Sequence, residues 1–379
     1  MSLFRQGLYF AGSAFVVIIA CVALSQSLTF SVSSGHTIQD AIDSALPGDT
    51  VEVQPGLYRE NLEVAKAITL RGIGYPVIDA NDGASAIILS ANGIILTGFN
   101  ATNSSNSGIE VESNDNILVD NIAFDNDYCG IELKDSCNNT LLKNNLRENG
   151  AAGIELDDSL NNTLKGNIAK RNGEAGIELE DCGHNSVQEN IAINNSNDGI
   201  ELLASFENVV VQNTLSENKD GICLEEKSIN NTIRNNSVID NHIDGIQLRD
   251  SSGNTLERNE LAGNSKGVFL EFCENNILRD NHVHGNQNGI HFNYYSKKNK
   301  IFHNNLSSNS NFDAYDESSG TNQWDDGTVG NHYSDSIMRE LDCDNAGDDG
   351  ICNKSLSIPG GSSMDRYPLI TWNETQSEG

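Results

Sequence analysis

Acidic, basic and aromatic residues recur at intervals of 22 to 24 residues in the second half of this 379-residue chain. Carboxylates and a guanidinium group hydrogen-bond sugar hydroxyls, and flat rings pack against the apolar face of a sugar. This chemistry predicts a sugar-binding face formed by Glu225, Arg249, Phe269, Glu271, His291 and Tyr294. Two other interpretations stay open: an ordinary surface, or a lyase or epimerase in which Arg249 stabilises an enolate-like intermediate beside a carboxylate base.

Four residues further along the chain have the types that bind a transition metal: Asp280, His282, His284 and His303. Alternate residues of a strand face the same side, so His282 and His284 are expected to point outward together. His303 is expected to stack on Asp280 one repeat later. Imidazoles beside a carboxylate suit copper, whereas isolated surface histidines are the alternative. The three methionines are too few for a Met-rich copper(I) site.

The tail of the chain contains an acidic loop that predicts a calcium site. Asp342, Asp344 and Asp348 would supply oxygen ligands. The loop departs from an EF-hand, because Ala346 replaces a ligand and Asn353 lies where a bidentate glutamate would be. The alternative is an acidic loop that is held closed by a disulfide.

The eight cysteines fall into three groups: two flank this acidic loop, one lies near the N-terminus and five lie inside the repeats. Cys343 and Cys352 are expected to form the disulfide. Cys21 would be lost with a cleaved signal peptide. The remaining five cysteines fall inside the repeats, where they replace small residues and are expected to be buried thiols.

A run of glutamates occupies equivalent positions in five successive repeats: Glu110, Glu132, Glu155, Glu178 and Glu201. If these positions stack, the like charges raise some of the pKa values or recruit a cation. The alternative is a solvated edge with the charges splayed apart.

The composition limits the class of partner. The formal net charge is -31, which excludes nucleic acid as a partner because phosphates need Lys and Arg. A strongly acidic chain suits cations, neutral glycans or basic partners.

The elements that must position these residues are sequence repeats. A Gly-Ile or Gly-Val pair recurs from Gly108 to Gly289 at intervals of 22 to 24 residues. Each repeat also carries three asparagines spaced by five, as at Asn139, Asn144 and Asn149. Apolar and polar residues alternate between them, which indicates short strands.

A chain of such strands coils so that each turn adds one strand to each of several parallel sheets. The asparagines would then form inward ladders and supply the left-handed backbone of the corners. The crossover rule for parallel strands makes the coil right-handed. The sequence therefore predicts an all-β fold, a right-handed single-stranded parallel β-helix with an N-terminal capping helix.

The first 25 residues have the features of a signal peptide or of an N-terminal membrane anchor. Arg5 precedes an uncharged, mostly apolar stretch from Leu8 to Leu24. We therefore expect an exported protein that is periplasmic, secreted or at the cell surface.

The rest of the chain divides into three predicted segments. Residues 26–85 form a cap and the first coils, including a short helix that begins after Thr37 with a Thr37–Asp40 capping pair. Residues 86–320 form the β-helix repeats, and residues 321–379 form an Asp-rich tail.

The segment from His36 to Asn61, with Pro47-Gly48-Asp49 and Gly56-Leu57-Tyr58, resembles the opening of NosD-type and pectin-lyase-like β-helix proteins. The Gly-Ile-x-Leu and asparagine repeats resemble the carbohydrate-binding and sugar-hydrolase domain of the same group. The tail, with Asn322-Gln323-Trp324-Asp325 and Asp365-Arg366-Tyr367-Pro368-Leu369, resembles archaeal cell-surface members.

This resemblance implies the pectin-lyase-like fold and a polysaccharide or cell-envelope component as the partner. NosD itself is associated with copper delivery to nitrous oxide reductase, so a copper-handling accessory protein is a further alternative. The chain lacks the Gly-His-Gly and Arg-Ile-Lys of polygalacturonases and the Asp-Pro-His-Asp of alginate epimerases. Their absence favours binding over catalysis.

Overall fold

The computed structural model describes residues 27–343 and 350–372. The chain coils into a right-handed parallel β-helix of about 13 turns, which confirms the predicted fold class. The predicted signal peptide or anchor at 1–25 lies outside the described residues. Among the residues that are described, no helix is both long and apolar enough to cross a membrane.

Three parallel sheets, which we name A, B and C, run along the β-helix, and each complete coil adds one strand to each sheet. The strands of sheet A are Thr29–Val32, Thr50–Val53, Thr69–Gly72, Ile95–Thr97, Ile117–Val119, Thr140–Leu142, Thr163–Lys165, Ser186–Gln188, Val209–Val211, Thr232–Arg234, Thr255–Glu257, Ile277–Arg279 and Lys300–Phe302. The strands of sheet B are Leu57–Tyr58, Val77–Asp79, Asn100–Thr102, Ile122–Phe124, Asn145–Arg147, Ile168–Lys170, Ile191–Ile193, Thr214–Ser216, Ser237–Ile239, Glu260–Ala262, His282–His284, Asn305–Ser307 and His332–Tyr333. The strands of sheet C are Leu62–Val64, Ile87–Leu89, Ile109–Val111, Ile131–Lys134, Ile154–Asp157, Ile177–Glu180, Ile200–Leu203, Ile222–Glu225, Asp244–Arg249, Lys266–Glu271, Asn288–Phe292 and Phe312–Asp316.

Aliphatic columns fill the interior of the coil. In sheet C, for example, Ile154 pairs with Ile177 and Leu156 with Leu179, and all four side chains are fully buried. Because alternate residues point inward, each three- or four-residue strand contributes one or two apolar side chains to the core and leaves the others outside.

Buried asparagine ladders connect the coils. The side-chain oxygen of Asn190 accepts from the backbone nitrogen (2.8 Å) and the amide nitrogen (3.0 Å) of Asn167 in the preceding coil. Its own amide nitrogen donates to the Leu164 carbonyl at 2.9 Å and to Asn213 Oδ1 at 3.1 Å. Each ladder asparagine therefore bonds to the coils on both sides, as the sequence predicted.

The left-handed backbone of the corners is carried by a different residue from the one predicted. The residue before each ladder asparagine adopts it: φ is 54° at Lys143, 63° at Gly166 and 56° at Glu189. The ladder asparagine itself must point its amide into the stack, so the preceding residue makes the bend.

Short elements close both ends of the coil. The N-terminal helix Ile38–Ser44 buries Ile38 and Ile42, as predicted, but the Thr37–Asp40 capping pair is wrong because Thr37 makes no side-chain capping bond. Instead, the Glu60 carboxylate accepts from the backbone nitrogens of Ile38 and Gln39. The other elements of the tail are the helix Asp335–Leu341 and an antiparallel hairpin formed by Leu356–Ser357 and Met364–Asp365.

The asparagine ladder gives a stability prediction. Replacing Asn190 by Leu leaves the donors of Asn167 without their acceptor inside the stack, so the free energy of unfolding should fall by about 1–3 kcal/mol. Asn145→Leu is the matched control, because Asn145 lies on the outer side of sheet B between Ile122 and Ile168. Equal denaturation midpoints for Asn190→Leu and the wild type would contradict the ladder.

Candidate functional site

Five of the six predicted sugar-binding residues lie on the outer side of sheet C, in the strands between Ile222 and Phe292, and Tyr294 lies in the turn that follows the last of these strands. The predicted stacking is confirmed: Gln247 pairs with Phe269, and Phe269 pairs with His291. Arg249 pairs in the same way with Glu271 in the neighbouring column. Successive coils therefore present these side chains as two adjacent columns.

Arg249 bridges two carboxylates from the coils on either side. Its Nη1 lies 3.4 Å from Glu225 Oε1 and its Nε lies 3.1 Å from Glu271 Oε2. With the Gln247 amide turned so that its oxygen faces Arg249, that oxygen accepts from Arg249 Nη2 at 3.1 Å and the amide nitrogen donates to Asp220 Oδ2 at 3.1 Å. The Arg249 side chain is half-exposed, so this network is fixed in position yet open to solvent.

Phe269 and His291 belong to the predicted sugar-binding face, but both side chains are half-buried. Lys266 Nζ lies 4.3 Å from the Phe269 ring centre and covers it, and the two rings are 5.3 Å apart. Burial lowers the pKa of His291, and its Nε2 is buried without a hydrogen-bond partner. These two residues therefore form the floor of the face.

The exposed aromatic surface lies beside them, at the turn that follows the sheet C strands. The rings of Phe272 and Tyr295 stack at 4.8 Å with an interplanar angle of 12°. Their exposed fractions are 47% and 64%, and that of Tyr294 is 69%. We name Phe272, Tyr294 and Tyr295 the aromatic platform.

Asn293 joins the aromatic platform to the Arg249 network. Its side-chain amide nitrogen donates to Glu271 Oε1 at 3.0 Å, and its side-chain oxygen accepts from the backbone nitrogens of Phe272 and Tyr295. Flat rings and polar groups therefore belong to one connected surface.

Sequence reasoning missed Phe272, although a signal for it exists. Phe272 has φ of 56°. The equivalent left-handed position carries aspartate in four other coils, at Asp135, Asp158, Asp181 and Asp250, and Ala204 or Lys227 in two more. A bulky side chain is unfavourable in this conformation. The replacement of aspartate by phenylalanine in the repeat is therefore the signal.

The glutamate column is not a solvated edge, so that interpretation is wrong. Glu132 is 1% exposed, because Ser107 Oγ and Lys134 Nζ approach it to 2.7 and 2.8 Å. Burial, with repulsion from the neighbouring glutamates, raises the pKa of Glu178 to about 8. Burial also raises the pKa values of Glu155 and Glu201.

A second buried column, which sequence reasoning also missed, lies directly before the repeat glycines. Asp198, Asp220 and Asp244 are each about 1% exposed. Burial raises the pKa of Asp198 to about 7 and that of Asp244 to about 6. Lys219 lies 3.5 Å from both Asp198 and Asp220, and Lys266 lies 3.0 Å from Asp244.

The signal for this column is again a break in the repeat. Earlier coils carry small residues at the same position, namely Ser107, Cys129, Ala152 and Ala175. Three successive aspartates replace them in the coils that lead to Arg249. The outer side of sheet C therefore changes character in both columns at once.

The four residues predicted to bind a transition metal do not come together as one group. His303 Nδ1 pairs with Asp280, as stacking predicted. The rings of His282 and His284 stack with their centres 4.0 Å apart. Glu260, which sequence reasoning missed, lies beside them and forms a potential metal-binding group with them. The potential ligand atoms of Glu260, His282 and His284 lie within 4.8 Å of one another.

The tail presents part of the predicted calcium loop. Cys343 and Cys352 form a disulfide with Cα atoms 5.3 Å apart. The Asp342 carboxylate lies 3.0 Å from Lys354 Nζ and therefore forms an ion pair with the lysine ammonium group. Asp344 and Asp348 lie outside the described residues.

Two family descriptions match the chain. The periplasmic copper-binding protein (NosD) family matches residues 187–336, and the right-handed β-helix region matches residues 85–238. The two ranges overlap and together extend from residue 85 to residue 336. A search of curated proteins found no match.

Solved structures with the same fold include proteins that act on polysaccharides. The A-module of mannuronan C-5 epimerase AlgE4 from Azotobacter vinelandii is 18% identical, with a TM-score of 0.54 over 69% of this chain and 94% of that one. The periplasmic alginate epimerase AlgG is 16% identical, with a TM-score of 0.51 over 71% and 82%. The Dettilon tailspike protein (gp208) is 13% identical, with a TM-score of 0.56 over 79% and 64%. Similarity at this level of identity establishes the shared fold.

The raised pKa of Glu178 predicts how stability depends on pH. The pKa of Glu178 in the folded protein is about 8, above the ordinary value of 4.5. The contribution of this side chain to folding stability is therefore complete below pH 4.5, where the carboxyl group is protonated, and is lost as the pH rises through 8. Glu178→Gln should therefore raise the Tm at pH 9, by on the order of 2 °C per kcal/mol recovered, and change it less at pH 5. Calorimetry at both pH values measures this, with the exposed Glu112→Gln as the control. A Tm gain that is the same at both pH values would contradict the burial of this charge.

Proposed function

Since this chain is a right-handed parallel β-helix protein whose residues 187–336 match the NosD family, we propose that it binds a neutral polysaccharide along the outer side of sheet C. The binding surface consists of the aromatic platform and the Arg249 network. We also propose that the protein is exported, because the matched family is described as periplasmic.

The observation that carries this proposal is the stacked and exposed pair formed by Phe272 and Tyr295. Exposed aromatic rings are unfavourable in water, and clustering them on one patch is typical of a contact surface. Phe272 also occupies a left-handed position that disfavours bulky residues. Unfavourable backbone conformations concentrate where a ligand is bound.

The polar groups beside the platform match sugar hydroxyls. Arg249 supplies donors, while Glu225 and Glu271 supply acceptors. Because their positions are already set by mutual ion pairs and by Asn293, little conformational freedom is lost on binding. Hydroxyl groups of a pyranose would engage this network while the apolar face of the sugar packs on Phe272 or Tyr295.

The charge of the chain selects among polysaccharides. With a net charge of -31, the protein repels polyuronates over distances of about a Debye length. The known activities of the epimerases with the same fold therefore do not set the ligand of this chain. A neutral glycan packs on the aromatic platform and is not repelled by the negative charge of the protein, so we propose this class of ligand.

A glycan array tests this proposal. The wild type should retain one or more neutral polysaccharides and retain polyuronates weakly. The Phe272→Ala and Tyr295→Ala double variant should lose roughly tenfold or more in affinity, since loss of a central aromatic anchor costs about 2 kcal/mol. Tyr75→Ala is the matched control, because Tyr75 is 46% exposed and also has a left-handed backbone, in a different coil. Retention of no glycan by the wild type, or equal retention by the double variant, would refute the proposal.

A second candidate function is copper binding at Glu260, His282 and His284. The observation that favours it is His284 Nε2, which is buried without a hydrogen-bond partner and lies 3.6 Å from Glu260 Oε1. Two imidazoles and a carboxylate are a donor set that suits copper(II). The NosD match includes all three residues.

Calorimetric titration with copper(II) tests this second candidate. His284→Ala should abolish a one-to-one binding event that the wild type shows. His184→Ala should retain it, because His184 pairs with Glu207 in a different group. A titration in which His284→Ala behaves like the wild type would eliminate this site.

A further inference from the structure

Besides the histidine group and the tail loop, a third group of potential metal ligands lies on the outer side of sheet C, in the coils that precede Arg249. The group consists of Asp198, Glu201 and Cys223. We propose that these three side chains bind a divalent cation of the zinc class. This site adjoins the Arg249 network, because the Cys223 sulfur lies 3.5 Å from Glu225 Oε1. It shares no ligand with the proposed glycan and copper sites, and its test reads a signal that neither of them gives.

The three side chains converge by the register of the coils. Glu201 and Cys223 are direct partners in neighbouring strands of sheet C, and Asp198 lies just before the glycine of the Glu201 strand. One carboxylate oxygen from each acid and the Cys223 sulfur all lie within 4.8 Å of one another. Asp198 and Cys223 are each 1% exposed, whereas Glu201 is half-buried and lies on the side that is open to solvent.

A buried and unpartnered oxygen points to a missing ligand. Asp198 Oδ2 is buried and has no hydrogen-bond partner. Its other oxygen, Oδ1, accepts from the backbone nitrogen of Asp220 at 3.2 Å and lies 3.5 Å from Lys219 Nζ. A buried polar atom without a partner is costly to the fold, and a bound cation would supply that partner.

The types of donor select the cation. One thiolate with two carboxylates is a mixed soft and hard set, which suits Zn²⁺. Calcium and magnesium prefer oxygen ligands alone, and copper(I) prefers sulfur. On binding, the Cys223 thiol releases its proton to solvent and the sulfur bonds to the cation.

This set of donors occurs at one place in the repeats, where two neighbouring coils meet. The five preceding coils carry glutamate where Cys223 stands, and the three preceding coils carry cysteine or alanine where Asp198 stands. Both replacements meet at adjacent strands. The described part of the chain brings a cysteine and two acids within ligand distance of one another only here.

Lys219 does not prevent a cation from binding. Its side chain is 44% exposed, and it lies as close to Asp220 as to Asp198. When a cation occupies the site, the ammonium group stays with Asp220. Asp198 then directs its unpartnered oxygen to the cation.

Titration of the full-length protein with Cd²⁺, a spectroscopic substitute for Zn²⁺, tests the proposal. A bond between cadmium and a thiolate gives an ultraviolet charge-transfer absorption, which the glycan and copper sites cannot give because they contain no cysteine. The wild type should show a one-to-one absorption change that an excess of Zn²⁺ reverses. Cys223→Ser should lose it, and Asp198→Asn should weaken the affinity by roughly tenfold or more.

Cys273→Ser is the matched control. Cys273 is also fully buried, but it lies in an interior column in which Ser251 and Ser296 are its neighbours. This control should retain the absorption change in full. Glu201→Gln adds a variant that leaves every thiol in place, and it should weaken the affinity even if Cys223→Ser fails to fold.

Two results would overturn the proposal. The first is a wild type without a saturable absorption change. The second is an unchanged affinity in both Asp198→Asn and Glu201→Gln, which would assign the absorption to another cysteine.

Discussion

The stacked asparagine amides are the interaction on which the rest of the structure depends. Most ladder asparagines donate to a carbonyl of the preceding coil and to the asparagine of the following coil, as Asn190 does with Leu164 and Asn213. These bonds satisfy polar groups inside the coil at every corner, where the chain bends between sheets. The spacing of the asparagines therefore fixes the length of each coil, and with it the register of all three sheets.

A fixed interior leaves the outer side chains free to vary. On sheet C, the earlier coils keep one pattern, with glutamate two residues after the glycine and a small residue directly before it. Between Asp198 and Tyr295 both patterns change while the asparagine ladders continue unchanged. The scaffold does not require this change, so we attribute it to what the outer side of sheet C contacts. The same stretch holds the aromatic platform, the Arg249 network and the group around Cys223.

The sequence predicted the fold because its period and its alternation specify the coil and the inward side chains. The pairing of Phe269 with His291 follows directly from the period. The period does not predict how deeply an outward side chain is buried, because that depends on which residues of the neighbouring coil cover it. Glu155, for example, is covered by Tyr128 and Cys129, whose oxygen and sulfur approach it to 3.2 and 2.8 Å.

The same reason explains which site residues were missed. Phe272 and Asp198 each break a pattern of the repeat, but such a break does not show what the new side chain contacts. Their importance comes from the contact of Phe272 with Tyr295 and from the unpartnered oxygen of Asp198. Glu260 was missed because only the stacking of its strand on His282–His284 places it beside those histidines.

The central claim is that ligand binding occurs on the outer side of sheet C, and a crystal structure with a retained oligosaccharide tests it most directly. We predict a sugar ring packed within ~4 Å of Phe272 or Tyr295, with hydroxyl groups hydrogen-bonded to Arg249 or Glu271. A sugar bound to sheet A, to sheet B or to either end of the coil, with the aromatic platform left open to solvent, would contradict the account.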